Sequence, residues 1–187
     1  ITWAKWENGN LGESKSVYYE GVSIPYRLEF GKLEIGPHTV VVEWDTTKAG
    51  KHAIDYLTTY IQPNPGFPEV WPSPCLEIDG CNPSVFTTFP IPVDPQVSGA
   101  GVTPVPGVFT FYGATITSVS AYSYPDGPGF DGDKSAQITI TFEASVPNPV
   151  LVWGGRIATR QDWGIDNSAV AISGSPYHTR LIALDGS

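Results

Sequence analysis

The chain has 187 residues, of which 41 % are apolar, 12 % aromatic and 16 % charged, enough for one hydrophobic core and too apolar for a disordered chain. Ten basic residues against 19 acidic ones give a net charge of -9, which argues against nucleic acid or an anionic membrane surface as partner. No apolar run approaches the ~18 residues of a membrane span, and 20 glycines with 18 prolines favour short strands and rigid loops over helices.

The first stretch, Ile1-Thr2-Trp3-Ala4-Lys5-Trp6, alternates loosely, with Ile1 and Trp3 on one face. It is short and β-prone, and Ile1, Trp3 and Trp6 make it a candidate assembly strand that pairs with the open sheet edge of a neighbour. A chain that opens on Ile1 and holds no methionine reads as a mature protein after signal removal, with an excised domain as the alternative. A second strand is expected over Ser16–Glu20. A cleaner one spans Ser23–Phe30, where Tyr26, Leu28 and Phe30 alternate with Arg27 and Glu29. Pro25 lacks an N–H, so that strand is expected to lie at an edge or to begin at Pro25 itself.

Between Thr39 and Tyr60 the pattern predicts a strand followed by a helix. Val40, Val42 and Trp44 fall on one face of the strand. Beyond the Thr-Thr-Lys-Ala-Gly turn, Ala53, Tyr56, Leu57 and Tyr60 recur at helical spacing. Residues 62–106 hold most of the prolines and no sustained period, and predict a long ordered surface excursion with an extended piece at Val85–Phe89. Cys75 and Cys81 lie within it, with five residues between them and without a nearby His or a second Cys pair, which predicts a local disulfide and an oxidising compartment.

Strands resume at Val108–Phe111, Ala114–Ala121 and Ala136–Ala144, and continue at Val150–Trp153, Ala169–Ile172 and Tyr177–Leu184. Ile138, Ile140 and Phe142 alternate with Gln137, Thr139 and Thr141, the pattern of a half-buried antiparallel strand. Eight to ten short strands predict one all-β domain over residues 1–187: an antiparallel β-sandwich, immunoglobulin- or jelly-roll-like, with one short helix.

The chemistry-bearing residues are few. Asp126, Asp131 and Asp133 stand on the Gly-rich loop Tyr124–Ser135, as hard oxygen ligands for Ca²⁺ would, yet Asp-Gly is also ordinary turn chemistry and the spacing is no EF-hand. No cofactor is required. Asp45, His52, Asp55, Arg156, His178 and Arg180 form a polar set read as structural, tying the elements together by buried hydrogen bonds. A His–Asp pair for acid–base work is the enzymatic alternative. No nucleophile elbow accompanies it. Trp3, Trp6, Trp71 and Trp163 flank loops or termini and are the candidates for stacking on sugar rings.

Several stretches together resemble a known but uncharacterised family. YYEGVSIPYRLEF, EWDTTKAGKHAIDYLTTY, FPIPVDP, VLVWGGRIATRQDWG and SGSPYHTRL are similar to a domain of bacterial secreted and cell-surface proteins. There it often precedes immunoglobulin-like or prealbumin-like repeats, and its chains usually run further than this one. The resemblance implies an extracellular, β-rich domain and carries no activity. Arg156 stands where the WGG-x-IA motif has a histidine, which speaks against a histidine-based site. The functional expectation is an extracellular structural protein, a subunit of a cell-surface filament or assembly joined by N-terminal strand exchange. It would associate with itself or other surface components, without membrane insertion. A carbohydrate-binding or adhesive module and a secreted hydrolase are the alternatives.

Overall fold

A computed structural model describes residues 5–9, 18–62, 71–173 and 177–187. Two antiparallel sheets pack face to face, as an all-β sandwich requires. The first contains β1 (Ser23–Glu29), β9 (Val150–Ile157), β6 (Val108–Tyr112) and β5 (Phe86–Pro90) in that order, with β4 (Ile54–Thr58) also on β9. The second runs β10 (Thr179–Leu184), β2 (Gly36–Lys48), β8 (Lys134–Ala144) and β7 (Ala114–Val119), with β3 (Lys51–His52) folded back on β2. Two small helices, α1 (Pro95–Gly99) and α2 (Arg160–Trp163), and a 3₁₀ turn at Ala169–Ala171 complete the described elements.

Alternation builds the core. Val40, Val42 and Trp44 of β2 pair in register with Ile140, Ile138 and Ala136 of β8, and all six are buried. The first sheet answers with Phe109, Phe111 and Leu151. Three phenylalanines meet across the interface, Phe111 with its ring centroid 4.8 Å from Phe142 and Phe30 5.3 Å from Phe142. Such tilted pairs add to the area they bury.

The helix expected from Ala53 to Tyr60 does not form. β3 and β4 occupy that stretch, and every residue from Ile54 to Thr58 is buried. Ile54 and Leu57 face the main core while Tyr56 packs on Val97 and Val102 around α1. A strand covered on both faces has no period of two, and an irregularity between Ile54 and Leu57 breaks the register further. The apolar spacing therefore imitated a helix.

Gly154 and Gly155 make this arrangement possible. A Cβ on Gly154 would strike Thr58 Oγ1 and lie 2.8 Å from the Thr59 carbonyl, and one on Gly155 would lie 3.0 Å from the Tyr26 ring. Without side chains there, β4 and β1 close on β9.

Three further expectations change. Tyr18–Glu20 is not strand, and the remainder of the Ser16–Glu20 stretch lies outside the described residues. Ala169–Ile172 is a 3₁₀ turn because the Glu20 carboxylate caps its entrance, accepting from the Ser168 hydroxyl and the Val170 N–H. The short helices fall elsewhere than expected. Asp94 caps α1 by accepting from Gln96 N–H, and Thr159 caps α2 by accepting from Asp162 N–H.

Cys75 and Cys81 are disulfide-bonded, with Cα atoms 5.2 Å apart. Their loop lies on the outer face of the first sheet, against Tyr112, Val150 and Val152, beside Trp6. Among the described residues no helix is long and apolar enough to cross a membrane.

Candidate functional site

The six polar residues singled out in the sequence separate into two groups. In one, Asp55 of β4 is buried and both its oxygens are occupied. Arg156 Nη1 donates to Oδ2 at 2.6 Å, and the Trp163 indole N–H donates to Oδ1. The same Arg156 nitrogen reaches Asp162 at 2.9 Å, and Thr159 Oγ1 donates to that carboxylate at 2.7 Å. The guanidinium carbon lies 5.3 Å from the Tyr56 ring centroid. Burial pushes the Asp55 carboxyl up to about 7, against the pull of Arg156 and Trp163.

His52 joins this group through its ring alone. It stacks on Trp163 at 3.4 Å between centroids, with Phe130 at 4.8 Å on another side, and burial pushes its imidazole down to about 4. Among the described residues no hydrogen bond joins His52 to Asp55. The neutral His52 ring, wedged between aromatics, packs α2 on β3 of the second sheet, while the Asp55 carboxylate ties it to β4 of the first. It offers no proton relay.

The second group lies on the second sheet. Arg180 of β10 donates from Nη1 to Glu43 and from Nη2 to Asp45, the latter at 2.6 Å. The His178 backbone N–H donates to the other Asp45 oxygen at 2.8 Å, and Gln137 Nε2 donates to Glu43 at 2.6 Å. These bonds pin β10 to β2. Glu43, Gln137 and Asp162 were not singled out in the sequence; the Thr159-x-x-Asp162 spacing, a helix-start signal, pointed to the last.

The three loop aspartates do not converge. Asp133 turns to the β2–β3 turn, accepting from Ala49 N–H at 2.7 Å and Lys48 Nζ at 2.8 Å, which holds its carboxyl below the usual range. This contact supports Ala49 at φ 50 and Gly50 at φ 70, the positive pair that a tight hairpin needs. Asp126 accepts from Ser135 N–H at 3.0 Å and its carbonyl accepts from Lys134. Asp131 is exposed. Among the described residues no three His, Cys, Asp or Glu side chains are grouped to hold a metal ion. Lys48 and the backbone amides of Ala49 and Ser135 thus satisfy the Asp133 and Asp126 carboxylates.

The tryptophans named for sugar stacking that can be placed are packed or half-buried. Trp163 is sandwiched as above, and Trp6 donates to the Ser73 carbonyl at 2.9 Å with the Arg27 guanidinium 5.0 Å from its ring. Trp71 is half-buried, and Trp3 lies outside the described residues, as does Ile1. Of the candidate assembly strand, only Lys5 and Trp6 are placed, and Trp6 packs on its own subunit beside the cystine loop.

The open feature is a cleft the sequence did not announce. It has a volume of about 130 Å³ and lies where the edges of the two sheets, β1 and β10, face each other. Tyr26, Arg27 and Leu28 form one wall, Thr179, Arg180 and Leu181 the other, and Val42 and Trp153 line it within. Among the described residues no hydrogen bond joins β1 to β10. The Trp153 indole N–H is buried and has no hydrogen-bond partner, and Thr179 Oγ1 faces the Tyr26 phenol without hydrogen-bond geometry.

No family model matches the chain, and no curated protein or solved structure matches it.

Proposed function

We propose that this chain is an extracellular structural protein, a β-sandwich subunit of a cell-surface filament or assembly, joined to its neighbours by strand addition from the N-terminal segment. The observation that carries the reading is the seam where, among the described residues, the edges β1 and β10 share no backbone hydrogen bond and a cleft lies between them. An open edge presents backbone donors and acceptors to any extended segment that fits. The disulfide fits an oxidising compartment, and the resemblance to bacterial surface domains supports the same setting. The polar groups support it too, because each is spent on holding elements together.

Head-to-tail addition is heterologous, so it propagates into a filament unless the rotation closes a ring. Sedimentation of the full chain at rising concentration, beside a chain lacking Ile1–Ala4, tests this. Trp6 is retained because it packs on its own subunit. The full chain should form long species and the shortened chain should stay monomeric. A full chain that is monomeric at every concentration, or a shortened one that still assembles, would overturn the reading.

A further inference from the structure

We propose that Asn8 is a site of self-modification, at which the Gly9 amide nitrogen closes on the Asn8 side chain and converts it, through a succinimide, to aspartate and isoaspartate. The reaction is independent of strand exchange and needs only water as co-reactant.

Asn8, Asp79, Asp126, Asp131 and Asp185 each precede a glycine. A following glycine lets its amide nitrogen approach the side-chain carbonyl with no Cβ in the way. The fold then separates these positions. At Asp126 both partners are held: Oδ2 accepts from Ser135 N–H at 3.0 Å, and Gly127 N–H donates to the Tyr124 carbonyl at 3.0 Å. The Asp185 carboxylate accepts from His38 at 2.7 Å and from Thr39 N–H at 2.8 Å. Asp79 and Asp131 are exposed. A carboxylate, however, repels an incoming nucleophile and loses an oxygen only as water.

Asn8 combines what the others lack. Its side chain is a neutral amide, which leaves as ammonia. Asn8 and Gly9 are exposed and lie outside every strand and helix. Among the described residues, neither the Asn8 side chain nor the Gly9 N–H makes a hydrogen bond. Gly9 has φ 95, and a Cβ placed on it would meet nothing within 4 Å, so the approach is open. Asn82 and Asn148 precede prolines, which have no N–H to give up. Their Oδ1 atoms are also engaged, by Ser84 N–H at 3.0 Å and Lys32 N–H at 3.1 Å.

The bond between Gly9 N and Asn8 Cγ forms as the Cγ–Nδ2 bond breaks, and the Gly9 proton departs with the amide nitrogen as ammonia. Water then adds to one of the two imide carbonyls. Addition at Cγ restores the ordinary backbone and leaves aspartate. Addition at the Asn8 main-chain carbonyl leaves the backbone running through the side chain, as isoaspartate. No electrons are exchanged, and the chain gains one carboxylate. The change falls just beyond Trp6, whose indole donates to the Ser73 carbonyl, so the sheets are untouched.

Peptide mapping of the full chain, aged in mildly alkaline heavy-oxygen water, tests the assignment. The Asn8 peptide should convert first, gain one heavy oxygen and appear as two isomers. Asn167, exposed but followed by the buried Ser168, should lag behind it. An Asn8 that keeps its amide as long as Asn167 does would overturn the site. Aspartate without isoaspartate would overturn the succinimide route in favour of direct hydrolysis.

Gly9→Ala supplies an independent reading. It should slow conversion about tenfold or more, because an L residue resists positive φ and its Cβ crowds the nitrogen. An unchanged rate would show that the Gly9 nitrogen is not the nucleophile.

Discussion

The two seams of the sandwich are built differently. On the β5–β7 side, Thr87 Oγ1 donates to the Ala114 carbonyl at 2.7 Å, joining the sheets directly. Phe89, Ile91, Tyr122 and Tyr124 pack on the core there, and the two tyrosine hydroxyls donate to the Pro92 carbonyl and the Asp94 carboxylate at 2.6 and 2.7 Å. On the β1–β10 side, among the described residues, no backbone hydrogen bond joins the edges, Tyr26 and Leu28 are half-buried, and the buried Trp153 indole N–H lacks a partner. Among the described residues, hydrogen bonds join the sheets at the first seam and no backbone hydrogen bond joins β1 to β10 at the second.

Truncation should separate the seams most sharply. Phe111 is fully buried and touches Phe30 and Phe142, so Phe111→Ala should cost about 3–5 kcal/mol in denaturant unfolding. Leu28→Ala on the other seam should cost roughly 1 kcal/mol, because that side chain is already partly exposed. Equal losses would mean that the open seam is as tightly packed as the closed one.

The Asp55 group comes next, since it fixes β4 and α2 on β9 away from either seam. Asp55→Ala should cost about 3 kcal/mol by leaving Arg156 without its buried partner. Burial raises this carboxyl, so the folded protein binds that proton more tightly than the unfolded chain. Its contribution to stability is therefore greatest below the ordinary carboxylate value and falls as pH rises toward about 7. Melting of the parent and of Asp55→Asn across pH 4 to 8 checks this, as the variant should lose that decline.

The smallest effect belongs to the far end of β10. Asp185 accepts from His38 at 2.7 Å and from Thr39 N–H at 2.8 Å, fastening the strand after Leu184. Its hydrogen bonds raise the His38 imidazole and lower the Asp185 carboxyl. The His38 part of the stability is full below the ordinary histidine value and is lost as pH rises through the raised one. The Asp185 part is full above the ordinary aspartate value and is lost as pH falls through the lowered one. The pair thus stabilises most between about pH 4 and 6.5. Asp185→Asn should cost under about 1 kcal/mol at this exposed site, and NMR titration should show His38 returning toward its ordinary value.

Where one face of a strand is buried, its sequence predicted it. β1, β2 and β8 follow their alternating residues, because a period of two survives only with water on one side. The cystine was equally legible, since the two cysteines, six positions apart, had no other cysteine to pair with in the chain.

Tertiary structure decided the rest. β4 became a strand because α1 covers its outer face, which erased the alternation that would have announced it. Asp45 and Asp55 went to different sheets because Arg180 and Arg156 lie on different strands, a fact no spacing along the chain records. The cleft depends on residues from β1, β2, β9 and β10, far apart in sequence. Composition and local pattern determine which segments can become strands and which compartment suits the disulfide. Which edge stays open is settled only when the sheets pack, because an edge is defined by the neighbour it lacks.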